Sequence, residues 1–193
     1  TIILLVLAIL LYENKNRKYL IFVGIIAICI FAFQIIGKIV FEQANPDIIE
    51  DVDSEYSRIW IKQVSGNNTT YKTMQVENGL ESYIDEETGE MGAKYLYYYD
   101  LVDYYLKDFK STLMIGGAAY TYPTHYLDKF QDKTIDVSEI DEKMTKLAVE
   151  QFNLDINNER LNIYHQDGRS FLNTTKNKYD VILIDAFKGE NAP

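Results

Sequence analysis

Four positions in the C-terminal half of this 193-residue chain carry residue types suited to holding a small molecule: Gly116-Gly117, Glu139, Asp167-Gly168 and Asp185. Each lies at the end of a short apolar run. A glycine pair lets the backbone turn tightly and approach a ligand, and a helix that follows presents free N–H groups to it. Glu139 comes 23 residues after Gly116, close to the spacing of about 20 at which an acid accepts ribose hydroxyls in a nucleotide-binding βαβ unit. Asp167 can accept the exocyclic amine of an adenine while Gly168 leaves room for the ring, although Asp-Gly is equally a favoured turn pair. Asp185, on a rigid element at a cleft mouth, can orient an amine nucleophile or take its proton. His125 and His165 lack a cysteine or acid at metal-ligand spacing and read as core or edge histidines, so no metal is expected. Neither a Ser-His-Asp set nor a phosphate-cradling lysine loop is visible.

The elements needed to position these groups can be read from periodicity. From Ser111 the chain alternates strand and helix, with strands expected at 112–115, 134–138, 161–165 and 179–184. Residues 141–152 put Met144, Leu147, Ala148 and Phe152 on one helical face. These are βαβ units, hence an α/β fold with a parallel sheet and right-handed crossovers, in which ligands sit beyond the carboxyl ends of the strands. The last strand reads as the fourth of a larger sheet, so the domain at 111–193 reads as an incomplete Rossmann-like domain. Upstream, Arg58–Val64 and Tyr71–Val76 flank Ser65-Gly66-Asn67-Asn68 as a β-hairpin. Residues 93–109, with Leu96, Tyr99, Val102, Leu106 and Phe109 three or four apart, predict an amphipathic helix whose tyrosines pack rather than touch a ligand. Region 55–110 is therefore a hairpin-and-helix N-terminal part, preceded by a linker at 41–54.

Residues 1–40 form a different class. Tyr19 to Gly37 is a run of 19 residues without a formal charge, about 28 Å as a helix against a hydrocarbon layer of roughly 30 Å. Thr1–Tyr12 is apolar but too short to span, and reads as the end of a preceding helix, so a multi-pass cell-membrane protein is expected. The basic loop 13–18 is favoured on the cytoplasmic side, which sends the following domain outward; use of a cytosolic cofactor argues the reverse, and a cytosolic domain is the expectation. Beyond residue 40 stand 15 basic and 28 acidic residues, about −13. That field does not suit nucleic acid, and it suits a cationic ligand as well as it suits plain solubility. The single cysteine, Cys29, leaves no internal disulfide. Asn67 and Asn173 match glycosylation patterns that chance readily produces in an Asn-rich chain.

Taken together, MIGGAAYTYP, VSEIDEKM, HQDGRSFL and YDVILIDAF, in that order, resemble the spermidine synthase family of aminopropyltransferases, within the class I methyltransferase fold. The resemblance runs over roughly 55–193, including NGLES at 78–82, and the apolar N-terminus resembles the subgroup fused to a membrane part. It implies a transferase acting in polyamine biosynthesis on S-adenosylmethionine or its decarboxylated form, with a small-molecule amine as acceptor and a second copy of the chain among its partners. It also implies that Glu139 binds ribose, Asp167 and Gly168 contact adenine, Gly116 and Gly117 line the methionine-derived portion, Asp185 is the catalytic acid and Glu81 stands where the family commonly has glutamine. Three positions depart from the pattern. Ala118, Ala119 and Tyr120 replace the last three residues of Gly-Gly-Gly-Asp-Gly, removing the aspartate for the donor's amine; Lys188 stands where an acid helps bind the diamine; and Glu81 adds a charge. A methyltransferase on another acceptor, or a silent nucleoside sensor, are the alternatives those departures favour.

Overall fold

The computed structural model describes residues 17–66, 69–76 and 79–186. The chain divides into two units, the first ending at Pro46 and the second beginning at Asp47.

The described part of the first unit is one helix, α1 (Arg17–Ala44). Its stretch Ile21–Ala44 has a mean hydropathy of 2.4 and is the one described helix long and apolar enough to cross a membrane. The preceding run, Thr1–Tyr12, lies outside the described residues. The helix outlasts the uncharged run, and Lys38 and Glu42 pair one turn apart at 3.6 Å on its exposed surface. It ends where Asn45 returns both its backbone N–H and its side-chain amide to the Phe41 carbonyl, and where Pro46 disfavours continuation.

The second unit has two sheets. The first is an antiparallel meander of β1 (Ile48–Asp53), β2 (Arg58–Ser65), β3 (Thr70–Val76) and β4 (Gly79–Asp85), in that spatial order. Segment 41–54, expected as a linker, instead holds the last turns of α1 and strand β1. Pairing explains it: Val52 faces Ile59, and the Arg58 guanidinium grips both carboxylate oxygens of Asp51 at 2.7 and 2.5 Å. The expected hairpin is β2–β3, with Ile61 opposite Met74.

The second sheet is parallel, with β5 (Ser111–Ile115), β6 (Thr134–Ser138), β7 (Leu161–Tyr164) and β8 (Val181–Ile184) in the spatial order β7-β6-β5-β8. Helices α3 (Thr121–Lys129), α4 (Glu142–Gln151) and α5 (Gly168–Thr174) make the crossovers. The alternation read from the sequence is thus the observed fold, and the order reverses between β6 and β8 on either side of β5. Ile59, Ile61, Met74 and Ile84 of the meander pack with Ala119, Leu147 and Phe152 in one buried cluster, which fixes the meander against the first turns of the α/β layer.

The helix expected over 93–109 is a 3₁₀ helix, Lys94–Leu101, followed by a single α turn, α2 (Val102–Tyr105). Tyrosine, aspartate and valine are poor α formers. Leu96, Tyr99 and Val102, three apart, all pack on the core, a spacing that eclipses them on one edge at three residues per turn.

One charge is buried within the sheet. Asp136, 6% exposed, accepts from the Asn162 amide at 2.8 Å and the Tyr179 hydroxyl at 2.6 Å; burial, then that carboxylate, pushes the Tyr179 phenol up to about 12. Replacing Asp136 by alanine takes the acceptor from both of these donors and from the Asn177 amide, which reaches Oδ2 at 3.4 Å. The substitution is expected to cost about 2–3 kcal/mol of stability, read as a lower midpoint in urea, whereas Asn162→Ala, which leaves the tyrosine bond in place, should cost less.

Candidate active site

Three backbone bonds join the carboxyl ends of the parallel strands. The Gly116 N–H donates to Ser138 O, the Glu139 N–H to Tyr164 O, and the Asp185 N–H to Ile115 O, at 2.8–3.1 Å. The loops that carry the candidate residues are therefore held by the sheet itself. Gly116 has φ +91°, and a Cβ there would lie 2.3 Å from the Asp185 carbonyl oxygen. Only glycine fits this approach, which brings the β5 and β8 loops together at the point where strand order reverses, the place where open α/β sheets bind ligands.

Glu139 is buried, 6% exposed. Its Oε2 accepts the N–H groups of Gly117 and Ala118 at 2.8 and 3.1 Å, and its Oε1 accepts the Asp141 N–H at 2.9 Å. With two lone-pair directions on each oxygen, one remains, on Oε1. The same residue that was expected to meet a ribose thus also clamps the glycine loop. Asp141 continues the arrangement by capping α4, its Oδ1 accepting from the Lys143 N–H at 3.0 Å.

The loop held by Glu139 is strained. Ala118 and Tyr120 have φ +45° and +55°, a left-handed conformation that costs a residue with a Cβ about 1–2 kcal/mol. Tyr120 is offset by complete burial and by a 2.7 Å bond between its hydroxyl and Thr145 Oγ1. Ala119 is 1% exposed within the meander cluster.

Asp185 is half-buried. The Tyr95 hydroxyl lies 3.2 Å from each of its carboxylate oxygens. Burial raises the Asp185 carboxyl above its ordinary value, and the Tyr95 and Tyr99 hydroxyls draw it part of the way back. Tyr99 is itself pushed up to about 12, by burial first and then by the Asp185 charge. Among the tyrosines of 93–109, Tyr99 packs on the core, and Tyr95, 46% exposed, reaches the Asp185 carboxylate.

Asp167 and Gly168 lie at the start of α5. Asp167 is exposed, and its Oδ2 accepts the Ser170 N–H at 2.9 Å as the helix cap, a bond that holds its carboxyl below the usual range. Gly168 is required by close packing, since a Cβ would meet Ile115 Cγ2 at 2.3 Å. Gly116, Gly117, Glu139 and Asp185 thus share one crevice, with Gly168 backed onto the end of β5. Glu81 falls on β4 as the extra residue of a β-bulge, opposite no partner between Met74–Ser82 and Gln75–Leu80; its side chain lies outside the described residues, as does Lys188. His125 and His165 take structural partners, Asp100 and Thr145, and no cluster of metal ligands occurs among the described residues.

The spermine/spermidine synthase domain model matches residues 97–193, half of the chain. The chain belongs to the spermine/spermidine synthase family. Across 144 residues it is 30% identical to a probable polyamine aminopropyl transferase of Bifidobacterium longum, covering 73% of this chain and 30% of that protein. It therefore spans less than a third of that relative's length. A probable spermidine synthase from Corynebacterium glutamicum shares the fold, with a TM-score of 0.64 at 21% identity over 76% of this chain and 55% of the other. A spermidine synthase solved with the transition-state analogue AdoDATO has a TM-score of 0.57 at 20% identity, over 74% and 47%. Positions 118 and 120, where the Gly-Gly-Gly-Asp-Gly pattern named above has glycine, are left-handed in this chain with alanine and tyrosine in place.

Two outcomes follow. Ala118→Gly removes the left-handed penalty at the cost of a freer unfolded chain, and should raise stability by about 0.5–1 kcal/mol in denaturant titration; a loss would mean the methyl contributes packing that outweighs the strain. Tyr95→Phe removes a donor to the ionised carboxylate, so the Asp185 carboxyl should titrate at higher pH than in the parent protein, followed by its side-chain ¹³C resonance.

Proposed function

We propose that this chain is the co-substrate-binding part of a membrane-attached aminopropyltransferase, taking decarboxylated S-adenosylmethionine, or S-adenosylmethionine, and an amine acceptor in polyamine biosynthesis. The observation that carries this reading is the Asp185 carboxyl, raised by burial and steadied by Tyr95, at the strand-order reversal beside Gly116. In the transfer, the acceptor's amine nitrogen forms a bond to the donor carbon attached to the sulfonium. The carbon–sulfur bond breaks and its electron pair stays on sulfur, releasing methylthioadenosine, while the nitrogen's proton passes to Asp185. A carboxylate of raised proton affinity is better matched to that step than an ordinary one. Glu139 would hold the ribose through the lone pair left on Oε1, and Asp167 and Gly168 would face the adenine. Helix α1 would provide the membrane attachment, with the second unit on the cytoplasmic side. Family membership and the relative solved with AdoDATO support the donor class.

Ala119 favours a second reading. The residue standing where the family carries the donor-amine aspartate is buried among Ile59, Ile61 and Met74, so nothing ionic meets a decarboxylated arm from there. Methyl transfer from S-adenosylmethionine would use the same crevice without it. Incubating the protein and an amine acceptor with either donor, and identifying the product by mass, divides the two.

Asp185→Asn tests the acid itself. Turnover should fall by a factor of about 10²–10⁴, with donor binding by calorimetry retained; undiminished turnover would remove Asp185 from the mechanism. The sign of its pH dependence is set by burial. With a folded-state value above the unfolded one, the group stabilises the fold most below the unfolded value of about 4, and that contribution is lost as pH rises through the folded value. The Asn variant should therefore melt no lower than the parent at pH 7, and the acid limb of kcat/KM in the parent should lie above the ordinary aspartate range.

A further inference from the structure

We infer that the exposed tyrosine face of segment 95–106 is a membrane-docking surface, seated in the interfacial layer of a zwitterionic bilayer. The inference rests on the attachment proposed above for α1. Six large side chains of the segment stand in solvent: Tyr95 at 46%, Tyr98 at 71%, Leu101 at 51%, Tyr104 at 73%, Tyr105 at 80% and Leu106 at 43% exposure. At three residues per turn, Tyr95, Tyr98 and Leu101 fall on one edge of the 3₁₀ helix, and Leu96 and Tyr99, which pack on the core, on another. Tyr104, in α2, continues the spacing of three, and its ring meets that of Tyr105 edge to face at 5.1 Å.

Large apolar groups gathered on a surface mark a contact, and their type says with what. Four of the six are tyrosines, whose ring favours an apolar layer and whose hydroxyl favours water, the combination enriched at both faces of a bilayer. Charge agrees with this occupant. Between positions 94 and 107, Lys94 and Lys107 balance Asp100 and Asp103. Both acids are matched, Asp100 by Lys129 and His125 at 2.7 and 2.9 Å, and Asp103 by Lys107 at 3.5 Å. A balanced face has no call for anionic lipid, and the acidic excess beyond residue 40 is repelled by it.

The chain also supplies the proximity. Residues 38–44 carry α1 about 10 Å past its uncharged run, roughly the depth of a headgroup layer. Three residues then lead from Ala44 to Ile48, at most about 14 Å of extended chain. A bilayer crossed by α1 therefore keeps the start of the second unit at its surface, where a tyrosine face needs little further free energy to seat. Tyr95, at the head of the face, bonds Asp185, so docking sets the mouth of the crevice at the bilayer surface.

Electron paramagnetic resonance of spin labels on the whole chain in phosphatidylcholine nanodiscs tests this. In a Cys29→Ser background, single labels are placed by Leu106→Cys on the face, by Ile28→Cys on α1, and by Lys146→Cys on an exposed position of α4. The ratio of oxygen to nickel-chelate accessibility at 106 should exceed that at 146 several-fold. Tyr98→Ser/Tyr104→Ser/Tyr105→Ser, which alters exposed side chains alone, should bring it down to the value at 146. The inference is overturned if position 106 reads as water in the parent, if its ratio survives the triple variant, or if dipolar broadening between labels at 106 reveals a second copy on the face. Lipid at 28 with water at 106 sinks this inference alone; water at both sinks the attachment by α1 with it.

Discussion

The crevice depends on one buried carboxylate. Glu139 accepts three backbone N–H groups, two from the glycine loop and one from the start of α4. Each is a charge-assisted bond worth about 1.5–3 kcal/mol. Together they hold the β5 loop, the end of β6 and the first turn of α4 in one arrangement. Removing the acid would leave three inward-facing donors, so the loop conformation and the acid are parts of one solution. A strand-end acid in this position serves the protein's own backbone before it serves a ligand, and its remaining lone pair limits what a ribose can gain from it.

That clamp also explains how a loop with two left-handed non-glycine residues persists. Strain at Ala118 and Tyr120 is met by the N–H bonds to Glu139, by the buried Tyr120 ring and its bond to Thr145, and by Ala119 packed into the meander cluster. The meander is therefore more than an appendage, because its Ile59, Ile61 and Met74 form the surface on which the loop rests. For the shape of this loop the chain relies on packing.

Much of this was legible in the residues. The β5–β8 strands, α4 and the β2–β3 hairpin each follow from a period and a terminating glycine or acid. Gly116, Glu139 and Asp185 could be placed in one crevice because parallel strands align their carboxyl ends. Less could be read where the period was short or where pairing decides. Strand β1 looked like a linker because IIEDVD is acidic, and only its register against β2, with Arg58 on Asp51, makes it a strand. The 93–109 spacing suggested an α period, and the segment is instead a 3₁₀ helix followed by one α turn. Glu139's service to the loop was invisible as well, since nothing in a side chain's identity says which donors will reach it first.

The position of Ala119 bears on which reaction this crevice can host. A cationic arm entering a site needs either an acid or water, and an arm without an acid partner loses several kcal/mol if it is also desolvated. Ala119 supplies no acid and, being buried on the meander side, leaves no room for water where it stands. An aminopropyl arm would therefore have to find its counter-charge elsewhere on the crevice wall, and Asp185 is the acid that the fold places there. Asp185 would then serve the donor's terminal ammonium and the acceptor's attacking nitrogen together, the second becoming positive as its bond to carbon forms. A methyl donor asks less of that carboxylate, because its own carboxylate and ammonium neutralise each other. The choice between the two chemistries thus reduces to whether one half-buried acid, already bonded to Tyr95, can pair with an ammonium and still take the proton of the attacking amine.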